Sequence, residues 1–117
     1  MPSSATGIPL SDILYHIDLA GRFVENMDYE AFQADLRTIY AVTRCLEIIS
    51  EATRRLPDDL KGRDPSIPRK RIAGAGNVYR HDYEDVAAHY LWETVQRDLP
   101  VLRAVVALEL ERSDKPL

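Results

Sequence analysis

Cysteine occurs once, at Cys45, so no disulfide can form within the chain. Its place in an apolar-periodic segment suits a small buried core residue better than a reactive thiol. Long hydrophobic runs are missing too: none approaches the roughly 20 residues needed to span a bilayer, and residues 1–9 lack the basic start and apolar stretch of a secretion signal. A cytoplasmic protein is the expectation. The three histidines, His16, His81 and His89, are far apart, and no spacing of His, Cys and carboxylates matches a zinc pattern, so neither a metal nor a cofactor is expected. There is no P-loop, no dinucleotide fingerprint and no nucleophile elbow. No stretch alternates with period two for long enough to require a strand.

What the 117 residues do contain is helical periodicity, at a composition of 45% hydrophobic and 29% charged that suits one soluble domain. Residues 1–9 read as a disordered lead-in, 10–112 as the helical domain and 113–117 as a frayed tail. Ser11 is placed to N-cap a first helix through Ile13, Leu14, Ile17, Leu19, Ala20 and Val24. Asp28 can cap a second, from Tyr29 to Leu56, with an apolar stripe that includes Phe32, Leu36, Ile39, Tyr40, Val42, Leu46, Ile49 and Ala52. No glycine or proline interrupts it. Such a helix would be roughly 42 Å long, more than a small bundle needs, and its overhanging apolar face invites a second subunit. Pro57, Gly62, Pro65 and Pro68 mark a loop, and Pro68 suits the first position of a third helix over 68–82. A fourth, over 84–97, turns Val86, Ala87, Tyr90, Leu91 and Val95 inward with Trp92 nearby, and Pro100 either starts a fifth helix or kinks the fourth. The fold class is all-α, a bundle of four to five helices.

Chemistry concentrates in Gly74-Ala75-Gly76-Asn77-Val78-Tyr79-Arg80-His81-Asp82-Tyr83. On a helix Asn77 and His81 share a face with Arg80 beside them, so an amide, a guanidinium and an imidazole can converge on one phosphate. His81 is the candidate general acid/base, Arg80 the phosphate-neutralising group and Asn77 an orienting group. The bland counterparts are a structural histidine and an Arg80–Glu84 pair on the helix surface. Residues 61–83 carry a local charge of +4 in a chain of net −4. Arg69, Lys70 and Arg71 are therefore candidate RNA or phosphate contacts, or simply a solvated helix end. Gly74 and Gly76 each weaken a helix by about 1 kcal/mol, and close approach of another backbone would explain them. His89 reads as a surface residue.

The order of these features resembles the HepT-like toxins of the HEPN superfamily over about residues 10–110. The resemblance rests on the capped first helix, Ile49-Ser50-Glu51-Ala52-Thr53-Arg54-Arg55-Leu56, the proline-rich break, Gly76 to Tyr83, and Leu91-Trp92-Glu93-Thr94-Val95 leading to Asp98-Leu99-Pro100. It implies a dimerising α-helical bundle whose composite cleft cuts RNA without metal, as the toxin of a type VII-like toxin-antitoxin system. The family signature is an arginine, a spacer of four to six residues, then His-x-Tyr. His81-Asp82-Tyr83 matches the second part and Asn77 the polar residue after the arginine, but Gly74, Ala75 and Gly76 occupy the places open to the arginine itself. Arg80, one turn beyond Gly76, is a candidate replacement. The resemblance also implies a minimal nucleotidyltransferase antitoxin that transfers AMP to the motif tyrosine, here Tyr83. Against the ribonuclease stands a catalytically silent helical subunit that binds nucleotide and a nucleotidyltransferase partner.

Overall fold

The computed structural model describes residues 7–56, 70–74 and 84–114, and every element among them is helical. They are α1 (Gly7–Phe23), α2 (Tyr29–Ala34), α3 (Leu36–Arg54), a helical segment over residues 70–74, α4 (Glu84–Glu93), a π-helical turn (Thr94–Asp98) and α5 (Leu99–Asp114). No described helix is long and apolar enough to cross a membrane.

Helix α1 begins at Gly7, one turn before the expected Ser11 cap, and Ser11 is an exposed residue inside it. Leu10 explains the early start: it is buried and extends the stripe of Ile13, Ile17 and Ala20 one turn upstream, while Pro9 falls in the first turn, where a missing N–H costs nothing. Beyond α1, Asn26 takes the left-handed conformation (φ 64°) that asparagine tolerates better than most residues, and the Met27 N–H closes the turn on the Val24 carbonyl at 3.0 Å.

Asp28 caps α2 as expected, its carboxylate accepting from the Ala31 N–H at 2.9 Å. The long second helix is instead two. Asp35 leaves the helical region (φ −110°, ψ 91°), closes α2 through its N–H to the Phe32 carbonyl, and caps α3 by accepting from both the N–H and the hydroxyl of Thr38. A side chain that satisfies the orphan donors of a new helix thus makes a break that neither glycine nor proline signals. Helix α3 is 19 residues long, so the uninterrupted helix from which an overhang was inferred does not form. Leu36 and Tyr40, expected on the apolar stripe, are 50% and 56% exposed.

The core joins Ile13, Ile17, Phe32, Val42, Leu46, Ile49, Leu91, Leu99 and Leu102. Helix α1 packs against α3 on one side and α5 on the other, while α2 seats Phe32 against Trp92 of α4, ring centres 5.3 Å apart. The helical run continues from α4 through the π-helical turn into α5, whose second residue is Pro100. Just before it the turn widens, the Leu99 N–H reaching back to the Thr94 carbonyl, which gives the proline ring room that a regular turn would deny.

Candidate active site

Of the residues singled out by sequence, Arg69, Asn77, Arg80, His81 and Tyr83 lie outside the described residues. Their immediate neighbours along the chain do not: residues 70–74 precede the cluster, and α4 begins at Glu84, directly after Tyr83. The two flanks are fastened to each other.

Ile72 anchors the upstream flank in the core, 2% exposed, and the residues around it meet α4 and the π-helical turn. Arg71 donates from Nε to Oδ2 of Asp98 at 3.0 Å, and its guanidinium carbon stands 5.7 Å from the centre of the Tyr90 ring. The hydrogen bond to Asp98, then the charge of that carboxylate, raises the Arg71 pKa still further. The Tyr90 hydroxyl donates to the Arg71 carbonyl at 2.9 Å. A Cβ added to Gly74 would stand 2.8 Å from that same hydroxyl. The close neighbour of Gly74 is thus a side chain, not the backbone expected. Lys70 is exposed and faces solvent.

Asp98 is the residue that sequence reasoning passed over. It is 8% exposed, on the same buried face as Leu91, Val95 and Leu102. A carboxylate at helical spacing among three buried apolar residues requires a cation or donors, and that was the available signal. Which cation it finds is a matter of tertiary structure, because Arg71 lies 27 residues away.

The other titratable candidates are accounted for locally. Cys45 is buried and its thiol is pushed up to about 11 by desolvation, which leaves it inert as a nucleophile at neutral pH. His89 is exposed, near Glu93 and edge-on to Tyr29, and His16 bonds through Nδ1 to the Asp12 carbonyl oxygen at 2.7 Å. Among the described residues no group of three or more His, Cys, Asp or Glu is placed to hold a metal ion. A separate concavity of about 360 Å³ lies between α1 and the start of α5, where Asp18, Arg22 and Arg103 surround Ile17, Val95 and Leu99. Residues 70–74 do not line it.

The model of the family described as Ribonuclease HepT-like matches residues 13–108. A protein of Methanocaldococcus jannaschii named "Putative RNase MJ1216" is 37% identical over 88% of this chain and 85% of its own. The "Probable ribonuclease HepT" of Thermococcus cleftensis is 38% identical over 80% of this chain and 86% of its own. A protein of Caldanaerobacter subterraneus subsp. tengcongensis named "Putative RNase TTE0752" is 31% identical over 88% and 92%. No solved structure matches. Matched over most of its length and through the cluster that ends in His81-Asp82-Tyr83, the chain belongs to the HepT-like ribonuclease family.

Proposed function

We propose that this protein is a metal-independent endoribonuclease, the toxin of a type VII-like toxin-antitoxin pair, with RNA as its substrate. The observation that carries the reading is the family match over residues 13–108, which contains the His81-x-Tyr83 element intact. His81 takes the proton of a ribose 2′-hydroxyl as that oxygen attacks the adjacent phosphorus, and a proton returned to the departing 5′-oxygen completes the cleavage. Asn77 orients the phosphate. Arg80 supplies the cation whose usual place is filled by Gly74, Ala75 or Gly76. Arg69 and the exposed Lys70 add contacts along the RNA backbone. Arg71, whose Nε donates to Asp98, stands apart from these contacts.

In this reading the protein works as a homodimer whose motif segments share one cleft. The apolar side chains of Ile8 and Tyr15 on α1 and of Val101 and Leu108 on α5, each at least 40% exposed, are surface that a second copy could cover. A minimal nucleotidyltransferase antitoxin neutralises it by placing AMP on Tyr83, which puts negative charge and bulk beside His81.

The second reading, a catalytically silent subunit of a nucleotidyltransferase complex, is favoured by the missing arginine. One experiment separates the two: cleavage of labelled tRNA and messenger RNA in EDTA by the protein, by His81→Ala and by Arg80→Ala, before and after treatment with the antitoxin and ATP. Expected are cleavage that vanishes in His81→Ala, falls about a hundredfold in Arg80→Ala, and is lost when mass spectrometry finds AMP on Tyr83. No cleavage by folded protein establishes the silent subunit. Full activity in Arg80→Ala removes Arg80 from the mechanism, and AMP on another residue removes Tyr83 as the acceptor.

A further inference from the structure

We propose that Arg71, Asp98 and Tyr90 form a clamp that sets the position of the motif, acting as positioning residues for His81 and Asn77; the inference rests on the reading of His81 as the acid/base. Residues 70–74 are held from outside. Arg71 meets Asp98 at 3.0 Å, the Arg71 carbonyl accepts from Tyr90 at 2.9 Å, Ile72 is buried, and Gly74 lies under the Tyr90 hydroxyl.

The two hydrogen bonds and the Gly74 contact run to one short piece of structure, residues 90–98. Within it Thr94, fully buried, donates its hydroxyl to the Tyr90 carbonyl at 2.9 Å, and the widened turn closes from Leu99 back to Thr94. Tyr90 and Asp98 are therefore fixed relative to each other before either touches residues 70–74. Gly74 is three residues before Asn77, and Tyr83 is joined directly to the helix that carries Tyr90. Both flanks of the motif thus connect to the same hydrogen-bonded stretch, and an acid/base group gains its rate advantage only when held at a defined distance from the reacting oxygen. The clamp gives Arg71 a role different from an RNA contact: its Nε is spent on a nearly buried carboxylate.

Kinetics distinguish the two roles. RNA cleavage is measured for the full chain and for Asp98→Asn, Arg71→Ala, both together, and the reversed pair Arg71→Asp with Asp98→Arg. Expected are kcat values lowered about tenfold in each single variant, with KM within about twofold of the parent. The double variant is expected to be no worse than either single one, and the reversed pair to recover part of the rate. If Asp98→Asn keeps the parent rate while Arg71→Ala raises KM alone, Arg71 is an RNA contact and the clamp is overturned.

A second measurement needs no activity. In the proton–carbon NMR spectrum of the imidazoles, Asp98→Asn is expected to displace the His81 signals and leave those of His16, on α1, in place. Unmoved His81 signals in a folded Asp98→Asn protein overturn the clamp. Tyr90→Phe, which deletes only the bond to the Arg71 carbonyl, repeats the comparison if Asp98→Asn folds poorly. If the parent shows no cleavage that depends on His81, the ribonuclease reading falls and the spectrum alone decides the clamp.

Discussion

The hydroxyl of Tyr90 reaches the Arg71 carbonyl at 2.9 Å and leaves Gly74 no room for a Cβ, which would stand 2.8 Å from it. Two effects oppose each other at this position. Alanine is favoured over glycine within a helix by about 1 kcal/mol, whereas forcing a methyl group into occupied space costs about 1–3 kcal/mol. The obstructing atom is the end of a side chain, but one tethered by its own hydrogen bond, so the penalty should win by a small margin. Gly74→Ala is expected to destabilise the protein by about 1 kcal/mol, measured by urea denaturation. In a Tyr90→Phe background the next ring atom is at 3.7 Å, an ordinary contact, and the same substitution should become neutral or stabilising. An equal loss in both backgrounds would remove Tyr90 as the reason for the glycine. From the sequence, Gly74 could be recognised as a place of close approach but not matched to its neighbour. Cys45 was legible in full, since a cysteine on an apolar stripe needs no tertiary information to be read as core.

Asp35 carries the corresponding lesson for elements. Periodicity correctly marks Phe32, Ile39, Val42, Leu46 and Ile49 as buried, yet it runs through the point where α2 ends and α3 begins. The break is written in Asp35 and Thr38, a capping pair hidden within a continuous apolar pattern. Their hydrogen bonds, the Thr38 hydroxyl first, hold the Asp35 carboxyl below its usual pKa. The bend lets α2 turn Phe32 against Trp92. Asp35→Ala is expected to lower Tm by about 4–8 °C and to change the emission of Trp92, the chain's one tryptophan. Asp35→Asn, which keeps an acceptor for the Thr38 N–H, should lose less. An unchanged Tm and spectrum in Asp35→Ala would mean that packing alone bends the chain here.

At the scale of the molecule, the all-α class and the burial of α1 and α3 follow from 3.6-residue periodicity, which acts between near neighbours in the chain. The ties that fasten distant elements leave no such trace. Arg71 and Asp98, Arg55 and Asp12, and Arg103 and Asp18 are separated by 27, 43 and 85 residues. The last pair spans α1 and α5, donating from Nε at 2.7 Å and from Nη2 at 3.2 Å to the two carboxylate oxygens. The hydrogen bond from Arg103 is the main reason the Asp18 pKa lies below the ordinary 3.8. A carboxyl whose pKa is lower in the folded chain than in the unfolded one stabilises the fold above the unfolded value, and that contribution disappears as pH falls through the folded value. Both side chains are nearly half exposed, so solvent and salt screen the pair, and its effect on Tm should be no more than a few degrees. Asp18→Asn should therefore melt slightly below the parent at pH 6, and the gap should close as pH falls below 3.8. Added salt at pH 6 should narrow it as well. Melting curves of the two proteins across this range test the assignment, and a gap that persists at the lowest pH would show that the carboxamide disturbs packing and that the Asp18 charge does not join α1 to α5.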